Sequence, residues 1–318
     1  MPSGFRPDLA AIRAAHERIR PFIHRTPVLT CTAIDDMVGA RVFFKCENFQ
    51  KVGAFKIRGA TNAVRSLAEE QATRGVVTHS SGNHAAALAL AARQRGIPAY
   101  IVMPRNSPAV KKEAVAGYGG RITYCEPTQP AREAACAELV QATGATLVHP
   151  FDDEAVIAGQ GTAAVELLEE VTDLDAILTP VGGGGLLSGT LIAAKGIRPT
   201  IRVIGCEPAL ADDAAKSLRE GRIVPARPPV TIADGLRTSL GHKTFPIIRE
   251  LVETIALVEE AEIVLALRTI LERMKVVVEP SAAVPLAALL NRPLGLAGKR
   301  VGIILSGGNL DVSKLLPS

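Results

Sequence analysis

The sequence contains no tryptophan, and aromatic residues make up only 3% of its 318 positions. Its net charge at pH 7 is +4, a small excess for a chain of this length, and its arginines are spread along the sequence. Nucleic-acid-binding proteins usually carry clustered basic residues together with aromatic side chains that stack on bases. The composition therefore disfavours a nucleic acid as partner.

Long apolar runs are also missing from the sequence. No stretch reaches the roughly 20 apolar residues that a membrane helix needs. The amino terminus carries Arg6, Asp8, Arg13 and His16 at positions where a signal peptide would be apolar. We therefore expect no contact with a membrane and a cytoplasmic location.

Cysteine is scarce and irregularly spaced. The five residues are Cys31, Cys46, Cys125, Cys136 and Cys206. Their number is odd, and no two of them stand at the two-residue spacing that is typical of zinc ligands. Neither a disulfide framework nor a zinc site is indicated.

The sequence does contain a regular alternation of apolar strands and helices. Strands are predicted near residues 76–80, 98–103, 121–125 and 145–148, with helices near 83–95, 108–117 and 131–142. The alternation resumes with a helix near 160–170, strands at 176–181 and 202–206, helices near 245–252, 260–274 and 281–290, and a strand at 301–305. Such a pattern predicts an α/β fold of two doubly wound parallel-sheet domains. We expect a smaller domain over residues 75–147 and a larger one from residues 1–74 and 148–318.

Lys56 is the first candidate for chemistry. It lies between Phe55 and Ile57, with Gly53 and Gly59 three positions to either side. Apolar flanks bury the stem of a lysine and strip water from its amine, which favours the neutral, nucleophilic form. Schiff-base chemistry requires that form. On these residues alone, an ordinary surface lysine ahead of a helix remains the alternative.

Two turns in the sequence are suited to binding anions. The predicted strand at 76–80 runs into Ser81-Gly82-Asn83-His84, a strand-to-helix turn of small polar residues with free backbone amides. The strand at 176–181 is followed by four consecutive glycines, Gly182, Gly183, Gly184 and Gly185. Their amides and the following helix would attract a phosphate. The run fits neither a P-loop nor the spaced dinucleotide pattern, so another phosphorylated cofactor is expected.

A reactive lysine, a phosphate cradle and a second seat for a carboxylate together describe pyridoxal phosphate with an amino acid bound to it. Ser306 follows the strand at 301–305, where its hydroxyl could face a ring nitrogen. These four motifs, in this order, resemble the fold-type II pyridoxal-phosphate enzymes, within them the serine racemase and serine/threonine dehydratase group. The resemblance covers nearly the whole chain. It implies the tryptophan-synthase-β-like architecture, an amino-acid substrate and a homodimer.

The resemblance also assigns roles to individual residues. The cofactor-binding positions of the group correspond here to Lys56, Phe55, Asn83, Gly182, Gly183, Gly184, Gly185, Gly235 and Ser306. Lys56 would hold the cofactor and remove the α-proton from one face of the substrate. Ser81 would be the acid/base on the opposite face, or else a helix-capping hydroxyl.

Substrate and metal positions follow in the same way. Ser80, His84 and Arg132 match residues proposed to meet the substrate, although His84 and Arg132 could equally be solvated helix residues. Glu207, the carbonyl of Ala211 and Asp213 match a site for Mg²⁺ or Ca²⁺ in the group.

The neutral hydroxyl of Ser306 limits the reaction that the resemblance implies. It makes the cofactor ring a weaker electron sink than an aspartate would, which favours elimination and racemisation over transamination. We expect an ammonia-lyase that converts L-threonine or L-serine to a 2-oxo acid and ammonia. A serine racemase that uses Lys56 and Ser81 as a two-face pair, or a 3-hydroxyaspartate dehydratase, is the alternative. Phe151 stands where animal racemases have asparagine, which favours a dehydratase, and the intact Lys56 disfavours a non-catalytic sensor.

Overall fold

The computed structural model describes residues 7–80, 82–227 and 230–310. In chain order the strands are β1 (Val28–Leu29), β2 (Arg41–Cys46), β3 (Val76–His79), β4 (Ala99–Pro104), β5 (Arg121–Cys125), β6 (Thr146–Leu147), β7 (Ala176–Pro180), β8 (Arg202–Pro208), β9 (Thr254–Val258) and β10 (Arg300–Leu305). The α-helices are α1 (Leu9–Ile19), α2 (Thr32–Val38), α3 (Lys56–Ser66), α4 (Glu69–Arg74), α5 (Asn83–Arg95), α6 (Ala109–Gly117), α7 (Gln129–Thr143), α8 (Glu154–Glu170), α9 (Gly185–Ile197), α10 (Asp213–Glu220), α11 (Thr244–Leu251), α12 (Glu260–Thr269) and α13 (Pro280–Asn291). None of these helices has both the length and the apolar character needed to cross a membrane.

The strands form two sheets. One has six strands in the order β1-β2-β10-β7-β8-β9, and the other has four in the order β5-β4-β3-β6. All neighbouring strands are parallel except β1, which pairs antiparallel with β2 at the edge of the larger sheet. The predicted α/β fold with two parallel sheets is thereby confirmed. The smaller sheet is built entirely from residues 76–147, while the exact domain boundaries stay a prediction.

Buried apolar side chains cover both faces of the larger sheet. Consecutive residues of a strand point to opposite faces, so Ile303 and Ile304 of β10 belong to different parts of the core. Ile303 shares its part with Leu286 of α13, and Ile304 shares the other with Leu191 of α9. All four side chains are fully buried, which stabilises the fold by roughly 1.5–3 kcal/mol for each. The sheet is therefore a rigid base for the turns at its carboxyl edge.

Several elements differ from the sequence-based expectation. The helix predicted near 160–170 begins at Glu154, because the carboxylate of Asp153 accepts a hydrogen bond from the amide of Val156 and caps an earlier start. The short elements β1, α2, α4, α10 and β9 were not predicted. Strand β9 is half-exposed at the sheet edge and acquires its strand geometry by pairing with β8, a contact that has no local signal.

Candidate active site

The segment before Lys56 is tied to the turn after β10. The amide of Phe55 donates to the carbonyl of Ser306 over 3.0 Å, and Ala54 forms an isolated β-bridge with Gly307. Lys56 is the first residue of α3. Two predicted cofactor residues and the lysine are therefore brought to the carboxyl edge of the larger sheet, although about 250 positions separate them in sequence.

The amine of Lys56 has an unusual environment. Its Nζ donates to the carbonyl of Pro150 over 2.8 Å and lies 5.1 Å from the centre of the Phe55 ring. No carboxylate in the described part of the chain forms an ion pair with it. Burial lowers the pKa of Lys56 to about 8, with the Glu279 carboxylate opposing the shift. Much more of the amine is therefore neutral near physiological pH than in an ordinary lysine.

The glycine run Gly182–Gly185 joins β7 to α9 and offers unpaired donors. The amides of residues 182–187 have no acceptor among the described residues. A Cβ on Gly183 would lie 2.3 Å from the Phe151 ring, and a Cβ on Gly182 would lie 3.0 Å from the carbonyl of Gly235. Only glycine leaves this space open. Free amides at a helix N-terminus fit a phosphate, so the run suits the cofactor that its sequence indicated.

Asn83 joins the two sheets through a polar contact that was not predicted. As the first residue of α5, it donates from Nδ2 to both carboxylate oxygens of Glu279 at 3.1 and 3.0 Å. Its Oδ1 accepts a hydrogen bond from Asn309 at 2.9 Å. Glu279 is buried, and burial raises its pKa to about 7 although the hydrogen bond from Asn83 opposes the shift. The only local signal for Glu279 is a single acidic residue between the apolar Val276–Val278 and Pro280.

The predicted substrate residues lie on the side of the smaller sheet. His84 is buried, with its Nε2 3.3 Å from the carbonyl of Val148 and its Nδ1 without a partner among the described residues. Burial, with Lys56 adding to it, lowers the pKa of His84 well below its usual value. The alternative of a solvated His84 is therefore wrong. Arg132 is half-buried on α7, and Ser80 accepts the amide of Gly82 at 3.4 Å. Ser81 falls outside the described residues.

Two aromatic neighbours of this site were not assigned a role in it from the sequence. The rings of His79 and His149 meet edge to face at 5.4 Å, and those of His149 and Phe151 at 4.6 Å. Nδ1 of His149 accepts the amides of Phe151 and Asp152, so the proton of the neutral ring is on Nε2. Burial and the charge of His79 lower the pKa of His149 to about 4. His149 is therefore a neutral residue with a fixed tautomer.

The predicted metal ligands form a separate acidic site. Glu207 and Asp213 are 1% and 4% exposed. Glu207 accepts the amides of Ala214 and Ala215, whereas neither carboxylate oxygen of Asp213 has a hydrogen-bond partner in the described ranges. Burial raises the pKa of Glu207 to about 9 and that of Asp213 to about 7. Two buried carboxylates without a partner cation suit a hard divalent ion.

These two carboxylates do not make a complete ligand set by themselves. Over residues 7–80, 82–227 and 230–310 no three His, Cys, Asp or Glu side chains come together as a metal site. A cation at Glu207 and Asp213 would therefore need oxygen from the backbone, such as the carbonyl of Ala211, and from water.

A parallel-sheet α/β fold with a desolvated lysine and a phosphate cradle defines a cofactor-dependent enzyme. The family model described as pyridoxal-phosphate dependent enzyme matches residues 19–307. The chain belongs to this family, and its cofactor is pyridoxal phosphate. It is a fold-type II enzyme of the serine racemase group, as the sequence predicted.

Individual relatives match over almost their whole length. The chain is 52% identical to a serine racemase of Arabidopsis thaliana over 316 residues, which covers 98% of this chain and 96% of the relative. It is 50% identical to a beta-hydroxyaspartate dehydratase of Paracoccus denitrificans over 309 residues, covering 97% and 98% of the two chains. The solved structure of maize serine racemase superposes with a TM-score of 0.95 at 50% identity, covering 98% of this chain and 96% of the other. The homodimer and the cytoplasmic location stay predictions.

The raised pKa of Glu279 predicts a pH-dependent effect of Glu279→Gln. Between pH 4.5 and 7 the unfolded chain has lost this proton while the folded chain holds it, so the contribution of Glu279 to stability falls as pH rises. The glutamine variant lacks this loss. Its free energy of unfolding relative to wild type should increase from pH 5 to pH 8, by at most about 3 kcal/mol.

Urea unfolding of both proteins at the two pH values measures this difference. Glu260→Gln, a change of the same type in α12, is the control and should show no such trend. A difference between Glu279→Gln and wild type that stays constant with pH would mean that Glu279 is ionised at pH 5 in the folded protein.

Proposed function

We propose that this protein racemises and dehydrates serine, with pyridoxal phosphate as cofactor and Lys56 and Ser81 as acid/base residues on opposite faces of the substrate. The observation that carries the proposal is the environment of Lys56, whose desolvated amine has no carboxylate partner in the described part of the chain. The serine racemases among the relatives support racemisation more than the dehydratase that we expected first. Dehydration of the same substrate shares the first proton transfer with racemisation.

Each residue of the site has a part in this proposal. Pyridoxal phosphate, when bound, supplies an electron sink that acidifies the α-proton of an attached amino acid. Lys56 holds the cofactor and, once its amine is free, accepts the α-proton at Nζ, because a pKa of about 8 leaves a large neutral fraction. The amides of the glycine run hold the phosphate. Asn83 and Ser306 hold the ring in one orientation.

The outcome depends on what happens after the α-proton has left. Delivery of a proton to the opposite face inverts the α-carbon, and Ser81 is the residue placed for this by the resemblance of Ser80-Ser81-Gly82-Asn83 to the group. Loss of the β-hydroxyl gives a 2-oxo acid and ammonia instead. The second route does not require an acid/base on the Ser81 face.

Ser81→Ala should therefore separate the two reactions. Conversion of L-serine to D-serine should fall about 100- to 10,000-fold, the usual contribution of one positioned acid/base. Release of pyruvate from L-serine should persist. Chiral chromatography together with a pyruvate assay measures both reactions in one sample, and Lys56→Ala is the control that should lose both.

Three outcomes contradict parts of this assignment. Equal loss of both reactions in Ser81→Ala would mean that Ser81 binds substrate and that the two-face mechanism is wrong. A wild-type protein that forms pyruvate but no D-serine would be a plain dehydratase. Activity of Lys56→Ala near the wild-type level would remove Lys56 from the mechanism.

A second candidate is dehydration of 3-hydroxyaspartate, whose side chain carries an additional carboxylate. The observation that favours it is Arg132, whose Nε is buried and has no hydrogen-bond acceptor in the described ranges. Its charge also lowers the pKa of His79 in addition to the larger effect of burial, which places it on the substrate side of the site. A guanidinium with a free donor suits a second carboxylate. The relative from Paracoccus denitrificans adds support.

If Arg132 binds that carboxylate, Arg132→Met should discriminate between substrates. We expect kcat/KM for 3-hydroxyaspartate to fall about 10- to 100-fold more than kcat/KM for L-serine, since a hydrogen bond to a charged group contributes roughly 1.5–3 kcal/mol. Assays of 2-oxo acid release from both substrates measure this. Arg249→Met, at an exposed position of α11, is the control. An equal fall for both substrates would mean that Arg132 contacts the carboxylate they share.

The proposal also includes a divalent cation at Glu207, Asp213 and the carbonyl of Ala211. Support comes from the two buried carboxylates, because Lys216 pairs with Asp212 at 2.6 Å and leaves the oxygens of Asp213 without a partner. An ion in this position would link the end of β8 to the start of α10 and stabilise the larger sheet.

Removal of the ion should lower stability. With the cation at 100 times its Kd, the loss would be about 2.7 kcal/mol. A chelator should therefore lower the melting temperature, and added Mg²⁺ or Ca²⁺ should restore it. Glu207→Gln should remove the response to chelator, whereas Glu220→Gln, an exposed change on the same helix, should keep it. Wild-type protein that melts at the same temperature with and without chelator would rule the ion out.

A further inference from the structure

A fully enclosed group of charges lies against the first turn of α3. This buried charge cluster consists of Lys45, Glu47, Arg58 and Glu166, each no more than 2% exposed. Lys45 and Glu47 stand at the end of β2, Arg58 in the first turn of α3, and Glu166 in α8. The cluster is not part of the substrate or cofactor site described above.

Arg58 uses every donor that it has. Its Nε and Nη2 donate to the two oxygens of Glu47 at 2.7 and 2.8 Å. Nη2 and Nη1 donate to the two oxygens of Glu166 at 2.7 and 2.8 Å, and Nη1 also donates to Thr162 at 3.1 Å. A guanidinium has five N–H groups in a fixed plane. All five are taken, so the side chain has one orientation.

The other members complete the charge balance. Lys45 donates to Glu166 and to the carbonyl of Thr26, both at 2.6 Å, and Thr26 donates from its hydroxyl to Glu47 at 2.5 Å. Two cations and two carboxylates leave no net charge in the enclosed space. Burial opposes the charge of Glu166, but the hydrogen bonds and charges of Arg58 and Lys45 lower its pKa to about 2. The cluster is therefore fully ionised.

Backbone packing holds the same turn of α3 at a fixed distance from α8. A Cβ on Gly159 would lie 2.6 Å from the carbonyl of Arg58, and a Cβ on Gly59 would lie 2.8 Å from the carbonyl of Val156. Any larger residue at either position would push the helices apart. Two residues along an α-helix correspond to a rotation of about 200°, so Arg58 anchors the side of the turn opposite to Lys56.

We propose that the buried charge cluster positions Lys56, with Arg58 setting the rotation of the first turn of α3 and thereby the direction of Nζ towards Pro150 and the cofactor. The proposal rests on the function proposed for Lys56. A purely stabilising role explains the cluster less well, because buried ion pairs contribute little net stability compared with apolar side chains of the same volume. What a saturated, planar guanidinium provides is a single geometry.

Arg58→Lys tests this inference, because it keeps the charge but removes the planar fork. We expect kcat to fall about 100-fold with KM changed less than about 2-fold, since a displacement near 1 Å can cost that much in rate. The circular dichroism of the visible band of bound cofactor should change, and the affinity for added pyridoxal phosphate should fall. The cofactor readouts report on Lys56 whichever reaction the protein catalyses, so they separate this inference from the proposed function.

The matched control is Ile263→Ala, a cavity in the core beneath α12 that contacts none of these residues. It should lower the melting temperature while kcat and the cofactor band at 20 °C below that temperature stay as in wild type. If Arg58→Lys does not fold, Thr162→Val removes one acceptor of Arg58 at nearly constant volume. It should change the cofactor band and kcat in the same direction by a smaller factor.

One pattern overturns the inference. If Arg58→Lys, or Thr162→Val in its place, lowers the melting temperature but leaves the cofactor band, the cofactor affinity and kcat as Ile263→Ala does, the cluster only stabilises the fold. A rise in KM without a fall in kcat also contradicts it, because a displaced Lys56 acts on the proton transfer and not on substrate affinity.

Discussion

The position of Lys56 depends on contact between two segments that are far apart in sequence. The amide of Gly308 donates to the carbonyl of Gly53 at 2.9 Å, and the amide of Phe55 donates to Ser306 at 3.0 Å. These bonds join the turn after β10 to the residues directly before α3. Without them the lysine would be at the end of a free loop. With them it belongs to the rigid edge of the larger sheet, where a small displacement is costly to catalysis.

The anion-binding elements use the same architecture. Helix α9 begins at the glycine run after β7, and helix α5 begins at Asn83 after β3. Both turns stand at the carboxyl ends of parallel strands, so free amides from two sheets face one cleft. The hydrogen bonds from Asn83 to Glu279 join the two sides. Phosphate and amino acid can therefore be held together against the lysine.

Racemisation and dehydration differ less in the site than in the fate of one proton. Our first expectation of a dehydratase used Phe151, which stands where animal racemases have asparagine. In the structure its ring packs against Gly183 and against His149. Phe151 thus contributes to the wall of the phosphate cradle, which weakens it as an indicator of reaction type. The relatives include both reaction classes at about equal identity.

The sequence by itself determined the features that are encoded locally. Apolar flanks mark Lys56, four consecutive glycines mark the cradle, and strand and helix periodicity predicts the parallel sheets. Tertiary structure alone decided which distant groups meet these motifs. Glu279 reaches Asn83 across 196 positions, Arg58 is enclosed by Glu47 and Glu166, and β9 is a strand through its pairing with β8. The physical reason is that burial and hydrogen bonding of a polar group depend on its neighbours in space, and these neighbours come from the packing of the whole chain.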